Sequence, residues 1–331
     1  MSDIVFSKNR KFLLLLSFAV VQFITAGCGN NSVNEAERHM FSAAIPVSEM
    51  SLRENLDSPT KQMLEIVNHA QQFLSDRLDL KKNEIMYYAP LTCPALCWEL
   101  VSVKAASLEV LSRQYFYSEQ TAVTAAEEAA AQGKETVIIP HKSIYMISER
   151  PSPVFPALRT LKYEELAEWT IREILDAYFS RTLKNYTDDG LLIFATEQAT
   201  LAFLRHSVNP SSSVISAYMS KMHDDRTFAI LFQEYQNRIK TLYSLNLGEE
   251  EFSRQKNYLI KVWIDNYTFL YPERFITSAY SDFPKRTMSA AELAAWKNPY
   301  TFYGDWEELY IPYRNIFVFI ADLPEVYGRK N

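Results

Sequence analysis

Apolar residues recur with helical spacing over most of the chain, and the first well-defined helix starts at Ser58. Ser58 and Pro59 favour a helix N-terminus, and the residues that follow repeat with a period of 3.6. The apolar positions of this helix are Met63, Ile66, Val67, Ala70, Phe73, Leu74 and Leu78. Similar patterns, separated by Gly and Pro residues, predict further helices over residues 119–131, 163–183, 191–206, 224–245, 249–270, 289–296 and 305–321. A shorter amphipathic helix is predicted over residues 33–43.

Short β-branched segments indicate a small sheet in the N-terminal half. Residues 100–103, 136–139 and 143–147 have this character, and Pro140 and Pro151 flank the last two. No internal repeat or low-complexity linker separates these strands from the helices that follow. The patterns therefore predict an α+β fold, predominantly α-helical, in a single domain over residues 58–326.

The first residues have the three parts of an exported leader: a cationic stretch, an apolar run over residues 12–26, and small residues before Cys28. The run is shorter than the roughly 20 apolar residues of a spanning helix. Residues 25–28 resemble a lipobox, although Thr25 stands where Leu is usual. We therefore predict a lipoprotein signal peptide over residues 1–27, lipid attachment at Cys28 and a tether with a short helix over residues 28–57. An uncleaved anchor, or secretion with a free cysteine, is the alternative.

Charge and leader together indicate a location and exclude one partner class. Removing residues 1–27, which carry a net charge of +2, changes the formal charge from −6 to −8. This acidic balance argues against nucleic acid and against a basic membrane-binding patch, so the lipid on Cys28 is the expected membrane contact. Asn30 is not the Asp that often retains lipoproteins in an inner membrane. We expect a lipid-anchored protein of the bacterial cell envelope, at the outer membrane and facing the periplasm or the surface, with a peptide or protein as its remaining partner class.

Few residues offer independent chemistry. Cys93 and Cys97 could form a disulfide or remain two buried thiols. The five histidines are too far apart in sequence for a His-x-x-x-His zinc clamp, and no GxSxG, phosphate-loop or GxGxxG motif is present.

Several blocks nevertheless resemble one family. They comprise Tyr88-Ala89 with Leu91, Pro94 and Trp98, then Ala106-Ser107-Leu108-Glu109, then Tyr115-Phe116 and the helix ending Ala131-Gln132-Gly133. In order and spacing, these blocks resemble the bacterial family of putative aminopeptidases from about Ser32 to Val326. The resemblance implies a zincin-like fold and a gluzincin-like zinc site with an HExxH helix, in which two histidines bind zinc and the glutamate acts as general base.

The resemblance also implies that the zinc site is degenerate here. Residues 172–176 stand at the HExxH position and read Arg172-Glu173-Ile174-Leu175-Asp176. Residues 191–196 stand where the family has NExFAT, which puts Leu192 at the third ligand position, and a shift of register would bring Glu197 closer. Only Glu173 remains, as a vestigial general base, because Arg cannot coordinate zinc and Leu is apolar.

We therefore expect no cofactor and a non-catalytic binding or structural module, a pseudo-peptidase. The alternative is an active metallopeptidase with an atypical site, and zinc is expected only in that case. Pro140 and the loss of two glycines in the preceding strand also argue against docking of an extended peptide there.

Overall fold

A computed structural model describes residues 37–330 except for 39, 106, 145–149, 210, 246 and 287. The chain divides into two units, Met1–Ala44 and Ile45–Asn331. In the first unit, residues 37, 38 and 40–42 are helical, in agreement with the predicted short helix. The signal peptide and Cys28 lie outside the described residues.

The second unit contains two small antiparallel sheets. Strands β1 (Ile45–Pro46) and β2 (Tyr87–Tyr88) pair with each other. The larger sheet has the order β4-β3-β5 and consists of β3 (Cys97–Lys104), β4 (Val110–Phe116) and β5 (Lys134–His141). Every residue of strand β3 except the last, Lys104, is buried, because the strand pairs on both edges and is covered on both faces. The sheet is therefore part of the core.

Helices make up most of this unit. They are α1 (Val47–Met50), α2 (Ser58–Ser75), α3 (Glu119–Ala131), α4 (Tyr163–Thr182), α5 (Asp189–Ser207), α6 (Ser213–Ser244), α7 (Glu249–Arg274), α8 (Ala290–Ala295), α9 (Tyr303–Tyr310) and α10 (Ile316–Lys330). Short 3₁₀ turns occupy Lys82–Glu84, Pro156–Thr160 and Phe283–Lys285. The predicted α+β, mainly helical fold is confirmed. None of the described helices is both long and apolar enough to cross a membrane.

Helices cover both faces of the larger sheet. Helix α3 packs on one face, where Ala122 contacts Trp98. Helix α8 packs on the other face, where its alanines contact Val101 and Val103. Helix α4 packs mainly against α2 and α5. This arrangement leaves a gap between the α8 face of the sheet and α4.

The structure differs from the sequence predictions in three places. Strand β4 was not predicted, because strong strand propensity is concentrated in its last two residues, Tyr115 and Phe116. Helix α6 begins at Ser213 rather than at residue 224, since the Ser212 side chain accepts from Val214 N at 3.2 Å and caps it. The predicted helix over residues 305–321 is two helices.

The break between α9 and α10 has a local cause. Arg314 adopts a left-handed φ of 54°, Pro312 lacks an N–H, and the Asn315 side chain accepts from Phe317 N at 2.9 Å. In the predicted strand over residues 143–147, Ser143 and Ile144 are not in a strand, and residues 145–147 lie outside the described residues.

Candidate functional site

A cleft of about 790 Å³ lies between the larger sheet and helix α4. Strands β3, β4 and β5 provide one wall, α4 and the start of α5 provide the other, and residues 283–299 close it. The polar residues that line it include Glu99, Arg113, His141, Arg172, Asp176 and Asp189. Its volume lies in the range of ordinary ligand sites, about 300–1,000 Å³.

The sheet wall is organised around the carboxylate of Glu99, which is 4% exposed. Arg113 Nη1 donates to Glu99 Oε1 at 2.7 Å, and His141 Nε2 lies 3.2 Å from Glu99 Oε2. Burial alone would raise the pKa of Glu99, but the hydrogen bonds from His141 and Arg113 outweigh it and hold that pKa below its usual value. Arg113 Nη2 also donates to Ala295 O at 2.7 Å, so the same side chain fastens α8 to the sheet.

The helix wall contains two of the predicted positions. Arg172 and Asp176 stand one turn apart on α4 and both line the cleft, as their i, i+4 spacing implied. Burial and then the neighbouring charge of Glu173 raise the pKa of Asp176 to about 7, while the Arg172 guanidinium opposes that rise. Asp176 is therefore close to half protonated at neutral pH.

Glu173, the remaining member of the predicted motif, lies behind this wall. It is 1% exposed, and its Oε2 accepts from the Ser152 backbone N at 2.8 Å. Its Oε1 has no hydrogen-bond partner among the described residues. Burial raises the pKa of Glu173 to about 7. Ser152 Oγ accepts in turn from Ile144 N at 2.7 Å, so Glu173 holds the segment that connects β5 to α4.

The other predicted positions are also removed from the cleft. Leu192 is 1% exposed and belongs to the apolar core. Glu197 is 2% exposed and accepts from Arg226 Nη2 at 2.5 Å, from Tyr303 at 2.8 Å and from Tyr300 at 3.0 Å. The structure therefore brings Arg172 and Asp176 together in the cleft, but not Glu173, Leu192 or Glu197.

These positions do not fit a zinc ion. A catalytic zinc site needs three protein ligands and an open position. Of the aligned residues only Asp176 presents an oxygen to the cleft, Arg172 is a cation and Leu192 is a buried hydrocarbon. In the part of the chain that the structure describes, no group of three or more His, Cys, Asp or Glu side chains could hold a metal ion.

The cysteines do not offer an alternative nucleophile. Cys93 and Cys97 are both free thiols, and Cys97 is 0% exposed. Cys97 Sγ donates to Ser143 O at 3.3 Å. Burial, with the nearby charges of Glu99 and Glu173, raises the pKa of Cys97 to about 12, which disfavours the reactive thiolate.

Comparison with known protein families supports the resemblance that the order of the sequence blocks indicates. The family model described as putative aminopeptidase matches residues 32–323. The chain belongs to the putative aminopeptidase family. No curated protein and no solved structure gives a significant match.

The sheet wall of the cleft was not predicted from the sequence. Glu99, Arg113 and His141 come from three different strands, and strand β4 was not predicted. The available signal was a charged residue in the middle of a β-branched strand, since Glu99 stands two residues before Val101. A buried charge in such a strand requires a partner from a neighbouring strand.

We expect Glu173→Gln to flatten the pH dependence of the protein's stability. The folded state keeps the Glu173 proton up to a pKa of about 7, whereas the unfolded chain releases it near the ordinary glutamate pKa of 4.5. The stabilisation is complete below the unfolded-state pKa of 4.5 and is lost as the pH rises through the folded-state pKa of about 7. Between these values the free energy of unfolding falls by up to about 1.4 kcal/mol per pH unit. Urea unfolding from pH 4.5 to 7.5 measures this slope, which should fall without vanishing, because burial still raises the pKa of Asp176 after the charge of Glu173 is removed.

The matched control is Glu128→Gln, which changes an exposed glutamate of α3. This variant should keep the wild-type slope. Equal slopes for wild type and Glu173→Gln would show that Glu173 is ionised in the folded protein.

Proposed function

We propose that this chain is a lipid-anchored, non-catalytic member of the putative aminopeptidase family, and that its cleft binds a ligand without hydrolysing it. The observation that carries this proposal is the position of the HExxH-aligned residues: Arg172 faces the cleft, while Glu173 is buried behind it on the Ser152 amide. A general base must reach the water that it activates. Here the glutamate stabilises a backbone connection.

The lost ligands support the same conclusion. Zinc lowers the pKa of a bound water to about 7 only when protein ligands hold the ion. A guanidinium at one ligand position repels a dication, and a leucine at another contributes no donor. The zincin-like fold stays a prediction, and the proposal requires only the cleft and its lining.

The leader supports placing this module in the bacterial envelope. Lipid on Cys28 would hold it at the outer membrane, facing the periplasm or the surface, where a peptide or protein partner meets the cleft. The mature charge of −8 gives no attraction for nucleic acid.

The first test measures metal content and turnover. Protein that begins at residue 29 is incubated with zinc, dialysed, and assayed for bound metal and for cleavage of aminoacyl-p-nitroanilides. We expect neither stoichiometric zinc nor turnover. One zinc per chain, together with turnover that Glu173→Gln abolishes, would overturn the proposal and establish the atypical peptidase.

A positive control comes from Arg172→His combined with Asp176→His. Both positions line the cleft one turn apart, so the pair should create a two-histidine clamp and gain zinc affinity over either single variant. Leu192 is left unchanged, because a carboxylate at a position that is 1% exposed would disrupt the core. Failure of the folded double variant to gain affinity would show that the two positions do not converge on the cleft.

A separate prediction concerns the anchor. Cys28→Ser should abolish lipid attachment and release the protein from the membrane fraction, because only the cysteine thiol accepts the diacylglyceryl group. Metabolic labelling with a fatty acid and membrane fractionation measure both effects, and Cys93→Ser is the control that should stay lipidated. Membrane retention of the Cys28→Ser protein would instead indicate an uncleaved anchor.

A further inference from the structure

A second cavity of about 250 Å³ adjoins the cleft. The two cavities share Arg172, Trp296 and Pro299 in their linings, so the smaller one forms a side recess of the larger. Its walls come from α4, α5 and α6 and from residues 280–300. No predicted zinc-site residue other than Arg172 and Glu197 lines it, among the residues that the structure describes.

The recess contains a polar atom that lacks a partner. Thr196 is 2% exposed and lines the recess, and its hydroxyl has no hydrogen-bond partner among the described residues. A buried hydroxyl without a partner destabilises the fold, so native proteins rarely retain one without a bound group to satisfy it. A group that enters the recess can accept or donate a hydrogen bond at Thr196.

The charged side chains of the recess already neutralise one another. Lys221 Nζ lies 3.0 Å from Glu168 and 2.8 Å from Asp225. Glu197, the third carboxylate, pairs with Arg226 at 2.5 Å. Arg172 stands at the junction to the cleft, so the lining has two cations and three carboxylates, and Arg226 from outside the lining neutralises the third carboxylate. A charged ligand group would lose its hydration here without gaining an unpaired counter-charge.

The remaining surface is largely apolar and has room for a ring. Ile193, Phe228, Ala229 and Trp296 provide most of it. The hydroxyls of Tyr280 and Tyr300, which also line the recess, already donate to Asp225 and Glu197. A dry cavity of about 150 Å³ is enough to bind benzene, so the recess can hold a ring with one polar substituent.

We propose that the recess is a specificity subsite that binds an uncharged aromatic or aliphatic group with one hydroxyl or amide, which hydrogen-bonds to Thr196. The inference rests on the proposed function in one respect, namely that the cleft holds the rest of the same ligand.

Fluorine NMR of full-length protein containing 5-fluorotryptophan tests the subsite directly. The chain has five tryptophans, and Trp296→Phe assigns the resonance of the one that lines the recess. Phenol is the probe. We expect phenol to shift the Trp296 resonance saturably, and benzoate and benzylamine to bind roughly tenfold more weakly because each carries a charge. Equal affinity for the charged compounds, or no saturable shift with phenol, would overturn the proposal.

Two substitutions at Thr196 distinguish the contribution of the hydroxyl to phenol binding from the contribution of side-chain shape. Thr196→Val keeps the volume and removes the hydroxyl, so phenol should bind about fivefold more weakly while toluene is unaffected. Thr196→Ser keeps the hydroxyl and should retain phenol binding to within about twofold. Undiminished phenol binding by Thr196→Val would contradict the assigned hydrogen bond. The melting temperature of Thr196→Val should equal or exceed that of wild type, which excludes unfolding as the cause of a loss.

A third variant fills the recess from helix α6. Ala229 is 2% exposed and lines the cavity, so Ala229→Leu should abolish the shifts caused by both phenol and toluene. Retained phenol binding in the folded Ala229→Leu protein would place the phenol site elsewhere and overturn the proposal. The zinc and turnover assays test the proposed function separately from phenol binding. If the protein proved to be an active enzyme, the proposed function would be overturned and the subsite would be unaffected.

Discussion

The burial of Glu173 in the middle of α4 is the constraint on which the site depends. An ionised carboxylate is costly in a protein interior, so this one must either hold its proton or accept hydrogen bonds. It does both: its pKa is raised to about 7, and it accepts from the Ser152 amide at 2.8 Å. That hydrogen bond fixes the chain between β5 and α4. With Glu173 turned inward, the helical period places Arg172 and Asp176 on the face towards the cleft.

On the opposite wall of the cleft, hydrogen bonds outweigh the effect of burial on the pKa of a carboxyl group. Glu99 is nearly as buried as Glu173, yet hydrogen bonds from His141 and Arg113 keep its pKa low, whereas Glu173 accepts from Ser152 and feels only the field of the Arg172 guanidinium, so burial dominates its pKa. Arg113 also reaches Ala295 O, so the ion pair that stabilises the sheet wall also positions α8. Loss of Arg113 would remove one partner of the buried Glu99 carboxylate and one hydrogen bond between α8 and the sheet. The ion pair between β3 and β4 therefore stabilises the sheet wall, and the hydrogen bond from Arg113 to Ala295 O positions α8, which is distant in sequence.

Local patterns were sufficient for much of the fold. The period of apolar residues and the cap at Ser58 located α2, and the alanine- and glutamate-rich segment that ends at Gly133 located α3 correctly. Strand β4 gave no such pattern, because as an edge strand it is half exposed and carries Ser112, Arg113 and Gln114 in succession. On the site, the i, i+4 spacing predicted that Arg172 and Asp176 share a face. The inward direction of Glu173 and the Glu99 network depend on packing between distant segments, which a local pattern does not contain.

The charges around α4 explain how two carboxyl groups can lie close together beside the cleft. Glu173 and Asp176 raise each other's cost of ionisation, and two close carboxylates without a cation would lower the stability of the folded state. In a zinc site the metal provides that cation. Here Arg172 provides it from the same helix, and its field lowers the pKa of both carboxyls against the effect of burial. A guanidinium remains charged at any physiological pH and needs no metal supply. Arg172 therefore stabilises the acidic residues beside it on α4 without a metal.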